Sequence, residues 1–283
     1  YNVDCKSRRK CPSPWLAMEY KLVDKTILRL VRKQLGLENG NIFPTAGARV
    51  APEVERFVHS VGINMVVGYG LTESLATVSC DRSDKPYTIG GVGYPIPGID
   101  VKIGDNDEIL LKGPTITKGY YHRDAANKEA FTEDGYFRTG DAGYIKDGEL
   151  FLTDRIKDLF KTSNGKYVAP QLVESLILVD KYIDQVAVVA NERKFVSALI
   201  VPEFRLVEEW AKERGIEFSS REDLCANERV NKMILARIQT LQQQLAHYEQ
   251  VKRITLIPHH FSLESGELTN TLKIRRPVVY KNY

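Results

Sequence analysis

The sequence contains no CxxC pair, and none of its four cysteines, Cys5, Cys11, Cys80 and Cys225, has a histidine at metal-ligand spacing. That pattern favours a reducing compartment over a secreted disulfide scaffold or a zinc site. The five histidines, His59, His122, His247, His259 and His260, form no ligand spacing either, and the adjacent pair is expected to point to opposite sides of a strand. No apolar run approaches the roughly 18 to 20 residues of a membrane span, and the first residues lack the apolar core of a secretory signal. A cytoplasmic protein is expected, with peripheral contact as its closest approach to a membrane. A dominant charge is missing too: 40 basic and 37 acidic residues leave a formal net charge of +3, which gives no bulk argument for nucleic acid. The short basic clusters, Lys6 to Lys10 and Lys273 to Arg276, read as solvated faces. There is no GxxxxGK[ST], and the one glycine cluster, IGGVGYPIPG at 89–98, runs into prolines and short strands instead of a helix, so it reads as a structural turn.

What is present is a chain of 283 residues, 43% hydrophobic and 27% charged, long enough for two domains. Residues 15–35 carry apolar positions at helical spacing and stop at Gly36, which predicts one amphipathic helix. A short run at Asn41 to Phe43, a small-residue turn at Thr45 to Ala48, a helix from Pro52 and a run at Asn64 to Val67 predict strand, turn, helix, strand, the unit of a parallel sheet. From 87 to 153, short β runs separated by Gly, Asp and Asn turns predict an antiparallel sheet or small barrel. Beyond that come a helix at 170–179, strands at 186–190 and 197–201, and helices at 203–214 and 227–247. The last of these reads as core packing, and its glutamine run carries no assigned role. The expected fold class is α/β. Residues 1–154 are expected to form a larger domain with a βα unit (15–80) and an antiparallel β subdomain (87–153), and 155–283 a separate α+β domain.

Four segments carry chemistry. GYGLTES at 68–74 follows a predicted buried strand, where open α/β sheets bind ligands. There Tyr69 can stack on a flat base, Gly70 permits close backbone approach, Thr72 can donate to a phosphate and Glu73 can hold Mg²⁺. YFRTGD at 136–141 lies between two β runs and ends in Asp141, a carboxylate able to accept from two vicinal ribose hydroxyls. TDRIKDLFKTSNGKYVAP at 153–170 places Arg155 near the domain junction and a glycine loop at Asn164-Gly165. GELTNTLKIRR at 266–276 puts Lys273 in a polar turn. Each has a bland reading alone: a strand-end turn, a hairpin, a loop, a solvent lysine.

In order and spacing the four together resemble the acyl-adenylate-forming superfamily, over nearly the whole chain. The resemblance implies that Tyr69 meets adenine, Thr72 the α-phosphate and Glu73 Mg²⁺. Gly47 and Ala48 would flank adenine, Asp141 and Arg155 would contact the ribose, Lys157 would be the hinge, and Gly165 would border the pantetheine tunnel. Lys273 matches the lysine that bridges the substrate carboxylate and the α-phosphate. Two anions meet in that step, and a fixed cation offsets their repulsion. The stretches ITKGYYHRDAANKEAFTEDGYFRTGD and FSLESGELTNTLKIRR, with an inserted helical region near 203–247, resemble the long-chain fatty acid:CoA ligase branch. That implies ATP/AMP, Mg²⁺ and coenzyme A as cofactors and substrates, and a fatty acid as the acyl donor. One departure is the adenine turn, TAGARV where the family more often has GGAPL. The family's Ser/Thr/Gly-rich phosphate loop should lie upstream of residue 47 and is not found, so a truncated form or fragment without independent ligase activity is expected. Two other readings stay open: an adenylating enzyme that loads an acyl carrier protein's phosphopantetheine thiol, and a non-catalytic adenylate-binding module.

Overall fold

A computed structural model describes residues 3, 7, 12–163 and 165–283. Cys5, Cys11, the basic residues Lys6, Arg8, Arg9 and Lys10, and Asn164 lie outside the described residues, as does the side chain of Lys157. The chain divides into two compact units, Tyr1–Lys157 and Asp158–Tyr283, each with a hydrophobic core of its own.

The first unit opens with α1 (Pro14–Val23), capped by the Ser13 hydroxyl accepting from the Leu16 N–H, and α2 (Arg29–Gln34). The single helix expected over 15–35 is interrupted by a π-helical turn at Asp24–Leu28. There the Thr26 hydroxyl donates to the Leu22 carbonyl at 2.8 Å, a side-chain competitor for the helical ladder. Gly36, at φ +70°, ends the helix as expected. The apolar residues of this segment, Trp15, Met18, Leu22, Ile27 and Leu30, are exposed, not packed into the core.

Strands β1 (Phe43–Thr45) and β2 (Met65–Tyr69) pair in parallel and are joined by α3 (Pro52–Ser60), whose proline occupies the first turn where its missing N–H costs nothing. Short antiparallel strands β3 (Ser79–Cys80) and β4 (Tyr94–Pro95) extend this sheet in the order β1-β2-β3-β4. The glycine cluster is structural: at Gly93, φ +73°, a Cβ would lie 1.9 Å from the Cys80 backbone. A second sheet runs antiparallel in the order β5 (Asp100–Ile103), β6 (Glu108–Lys112), β7 (Phe137–Lys146), β8 (Glu149–Arg155). Val67, Tyr69, Val78, Ile109, Leu111 and Leu150 form a core common to the two sheets. Helix α4 (Asp124–Ala130), unforeseen from the sequence, lies between β6 and β7.

The YFRTGD segment corrects the sequence reading. Instead of lying between two β runs, Phe137 to Asp141 open strand β7 itself. The ladder pairs Leu110 with Arg138 and Glu108 with Ala142, so Thr139, Gly140 and Asp141 together oppose Ile109 in a bulge. Gly140 takes φ +71° to make it.

In the second unit, β9 (Phe160–Lys161) and β10 (Tyr167–Val168) form a small hairpin. The main sheet has the order β11 (Ile183–Val189), β12 (Val196–Pro202), β13 (Val251–Leu256), antiparallel then parallel. Helices α5 (Pro170–Ile177), α6 (Phe204–Lys212), α7 (Arg221–Ala226), α8 (Glu228–Leu241) and α9 (Arg276–Asn282) complete it. Val230, Ile234 and Ile238 of α8 repeat every fourth residue and are fully buried, which is the core packing the periodicity predicts. Helix α8 stops at Leu241 instead of near 247, with Gln242 as its C-cap. The buried Gln242 side chain accepts from the Val251 N–H at 2.7 Å and donates to the Val251 carbonyl at 3.0 Å, so the glutamine run has a structural role after all. His259 and His260 are not on a strand: His259 Nε2 is 2.6 Å from the Tyr283 hydroxyl, and His260 Nε2 is 3.3 Å from Asp184.

Candidate functional site

Because β1 and β2 are parallel and in register, with Thr45 opposite Val67, the turns that follow them leave the same, carboxyl edge of the sheet. After β1, Gly47 and Ala48 are exposed, with Gly47 at φ +88° and open space where a Cβ would be. After β2, Gly70 is demanded by the chain itself, since a Cβ there would lie 1.3 Å from the Ala76 carbonyl oxygen. That contact arises because Leu75 and Ala76 both take left-handed backbone conformations, φ 52° and 84°, to fold the Thr72–Ser74 turn back on itself. The buried Ser74 hydroxyl locks the turn by accepting from the Leu71 N–H and donating to the Leu71 carbonyl. Thr72 is left exposed at its tip.

Glu73 is held twice. The Thr117 N–H donates to its backbone carbonyl at 2.7 Å, and the Tyr120 hydroxyl donates to its Oε1 at 2.9 Å. Thr72, Glu73, Thr115, Thr117 and Tyr120 line a groove of about 310 Å³, in which the buried Thr115 hydroxyl has no hydrogen-bond partner. In the sequence ITKGYY serves only as a family signature, and nothing there marks Thr117 and Tyr120 as supports for Glu73. Their separation from Glu73 in the chain left no local signal.

Asp141 is held from two sides. Its carboxylate, 9% exposed, accepts from the Tyr69 hydroxyl at 2.7 Å on Oδ2 and from Arg155 Nε at 3.1 Å on Oδ1. Arg155 arrives there because β8 is bulged as well: Ala142 pairs with Asp154 and Gly143 with Leu152, which leaves Thr153 unopposed and puts Arg155 across from Asp141. Tyr69 is 7% exposed, so in this structure it acts chiefly through its hydroxyl. Burial, reinforced by the Asp141 charge, pushes its phenol pKa up and keeps it a donor. In the sequence Tyr69 and Asp141 read as separate contacts; the fold joins them.

In the second unit, Lys273 is exposed and makes no ion pair among the described residues. Its turn is closed by the Thr269 N–H donating to the Lys273 carbonyl at 2.8 Å and the Lys273 N–H donating to the Thr269 hydroxyl at 3.1 Å, with Leu272 at φ 59°. Just beyond, Arg276 forks onto buried Glu174 at 2.6 and 2.8 Å, and Glu174 also accepts from the Val188 N–H at 2.8 Å. This anchors the Lys273 turn to α5 and β11. Gly165, φ +74°, lies in the exposed β9–β10 turn with open space about it. Lys157 lies in a 3₁₀ turn, Ile156–Asp158, at the end of the first unit. Sequence reasoning did not single out Glu174, which looks like any helix carboxylate.

Residues 14–121 match the AMP-binding enzyme family, and residues 157–283 match the AMP-binding enzyme C-terminal domain. The chain belongs to the AMP-binding enzyme family. Among similar proteins, long-chain-fatty-acid–CoA ligase 1 of Homo sapiens is 34% identical over 278 residues, 93% of this chain and 39% of that protein. Long-chain-fatty-acid–CoA ligase FadD15 of Mycobacterium tuberculosis is 31% identical over 275 residues, 96% of this chain and 45% of that protein. The chain thus spans less than half the length of these relatives. The fold resembles the A-PCP didomain of a carboxylic acid reductase from Segniliparus rugosus in complex with AMP, with a TM-score of 0.73 and 25% identity over 90% of this chain and 36% of that one. It also resembles O-succinylbenzoate coenzyme A synthetase from Bacillus subtilis in complex with ATP and magnesium, with a TM-score of 0.63 and 20% identity over 84% and 46% of the two chains.

In an AMP-binding enzyme the donor set around Asp141 has capacity to spare. A carboxylate offers about four lone-pair sites, of which Tyr69 and Arg155 use two, so two remain for a vicinal diol. Glu73 likewise keeps Oε2 free of the Tyr120 bond. One such carboxylate suffices for Mg²⁺, which is usually held by one or two protein oxygens together with substrate phosphates and water. Among the described residues no group of three or more His, Cys, Asp or Glu side chains is placed to hold a metal by itself, and no helix is long and apolar enough to cross a membrane.

Proposed function

We propose that this chain supplies the adenylate-handling residues of a long-chain fatty acid:CoA ligase, which activates a fatty acid with ATP to acyl-AMP and then transfers the acyl group to coenzyme A. The observation that carries the reading is the Asp141 carboxylate, oriented from one side by Tyr69 and from the other by Arg155 beside the carboxyl edge of a parallel strand pair. In it the ribose hydroxyls donate to the free lone pairs of Asp141, Arg155 fixes that carboxylate and adds a ribose contact, the Gly47-Ala48 turn flanks the adenine, and Tyr69 orients Asp141 through its hydroxyl. Thr72 donates to the α-phosphate. Glu73 would hold Mg²⁺, which neutralises phosphate charge when bound.

Lys273, exposed and without an ion pair among the described residues, presents its ammonium to the carboxylate and α-phosphate of the substrates, where the pentavalent transition state concentrates negative charge. Motion about Lys157 separates the two half-reactions, and the Gly165 turn borders the path of the pantetheine thiol. A pantetheine arm is common to coenzyme A and to a carrier protein, so parallel transfer assays with coenzyme A and with a holo acyl carrier protein distinguish the two acceptors. Anionic vesicles in a co-sedimentation assay test peripheral membrane contact.

The reading is tested by titrating AMP into the chain calorimetrically, with Asp141→Asn as the comparison. Asparagine still accepts from Tyr69 but has lost one carboxylate oxygen and the charge. The expected result is binding weakened by about tenfold or more, the weight of a charge-assisted hydrogen bond. Equal affinity for the two proteins would remove Asp141 from the nucleotide site and the reading with it.

A further inference from the structure

We propose that Arg49 is a positioning residue of the nucleotide site: it pins the Gly47-Ala48 turn to the bulged strand that aims Arg155 at Asp141, and so couples recognition of the base to recognition of the ribose. The inference rests on the adenylate reading above and adds to it a residue at which the turn, TAGARV, departs from the commoner GGAPL.

Three observations converge on it. First, the Arg49 guanidinium donates from an Nη to the Thr153 carbonyl at 2.8 Å, across 104 positions of sequence. Second, Thr153 is the residue that the β8 bulge leaves without a cross-strand partner, so its carbonyl is open to a side-chain donor; the same bulge sets Arg155 opposite Asp141. Third, the turn has little else to hold it. Gly47 has nothing within 4 Å of its Cβ position, and among the described residues no hydrogen bond other than that of Arg49 ties residues 46–50 to the rest of the unit. The half-buried guanidinium also feels the charge of Asp154, the neighbour of Thr153, which itself accepts from the Arg155 N–H at 2.7 Å. A mobile turn could still meet a nucleotide, but it would present no fixed backbone pattern to the edge of the base. Tied to β8, it holds one geometry relative to the ribose carboxylate, and a wrong base edge then leaves groups unpaired.

The test uses the 283-residue chain and calorimetric affinities for AMP and for inosine monophosphate, which shares the ribose phosphate but carries a carbonyl where adenine has an amino group. The comparison protein is Arg49→Met, which keeps the apolar stem. The expected outcome is a preference for AMP that falls by about tenfold in the variant, the weight of one hydrogen bond to a charged group, with an unchanged unfolding midpoint. Arg49→Lys, which retains a cationic donor, is expected to recover part of the preference. If Arg49→Met does not fold, Arg49→Gln, shorter and uncharged, carries the same test with the same expected loss. A variant that binds both nucleotides more weakly but with the wild-type ratio, or binds both as the wild type does, overturns the inference and leaves the adenylate reading standing. A wild-type chain that binds AMP without any preference over inosine monophosphate overturns the inference as well, whereas a wild-type chain that does not bind AMP overturns both.

Discussion

Glu55 puts a carboxyl group in the interior of the first unit, and replacing it with a neutral isostere that keeps its hydrogen bond should make the protein more stable where the carboxyl would be ionised. The side chain lies on α3, 1% exposed, with the Gly90 N–H donating to Oε2 at 2.8 Å. Burial, opposed by that hydrogen bond but helped by the nearby charges of Asp81 and Glu149, pushes its pKa from 4.5 up to about 7. Because the folded state holds the proton more tightly than the unfolded one, stability is greatest at or below the unfolded pKa and declines as pH rises through the window from 4.5 to about 7. The shift corresponds to at most about 3 kcal/mol lost above that window. Asp81, pushed up to about 6 by its own burial, ionises in the same range and sharpens the decline.

Glu55→Gln keeps an acceptor for Gly90 and cannot ionise. Urea unfolding followed by circular dichroism, fitted with separate transitions for the two units, should show variant and wild type matched near pH 4.5 and the variant more stable at pH 8 by up to about 3 kcal/mol. A stability difference that is constant over this range, or that grows on acidification, would refute the argument that the folded protein pays for a buried charge at this site.

Three further outcomes are expected. Gly70→Ala places a methyl 1.3 Å from the Ala76 carbonyl oxygen and forces the turn that carries Thr72 and Glu73 to rebuild; a loss of more than about 3 kcal/mol in the first unit's melting transition is expected. Arg276→Met strips buried Glu174 of its bidentate partner and should destabilise the second unit by about 3–5 kcal/mol, read by the same urea titration. Lys273→Ala touches an exposed side chain without an ion pair among the described residues, so the unfolding midpoint should stay in place. On the proposed function, that substitution, introduced into a ligase of the relatives' full length, should abolish acyl-AMP formation from ATP, Mg²⁺ and palmitate while sparing thioester formation from supplied acyl-AMP, and equal loss of both steps would count against the proposed role.

The βα unit was legible because its signals are local: an apolar run at Asn64 to Val67, a proline opening α3, small residues in the turn after β1. The antiparallel strands were legible for the same reason, from turn residues between alternating runs. The interruption of α1 and α2 at Asp24–Leu28 was not, since a threonine in a helical pattern does not say which carbonyl its hydroxyl will choose. Nor was the double bulge at Asp141. Register is settled between strands, and TGD reads as a hairpin until β6 and β8 are known to flank it.

The site's supports were hidden for a further physical reason. The turns that carry it are tied down by buried polar groups reaching across long stretches of chain, not by apolar packing that leaves a periodic trace. Glu55 accepts from Gly90, Glu149 from Thr88, Asp81 from Val67, Glu108 from Gly140 and Arg138, and Glu174 from Val188 and Arg276. In a sequence each of these is one more acidic residue among 37, with the composition of a solvated face. Folded, each satisfies a backbone N–H that would otherwise be orphaned in a turn or at a strand edge, so a substitution that removes the acceptor oxygen costs both the bond and an unpaired donor. The same reasoning accounts for Tyr120 on Glu73 and Tyr69 on Asp141. The residues proposed to touch nucleotide stand in a motif, whereas those that aim them are recognisable only from the distance between a donor and an acceptor.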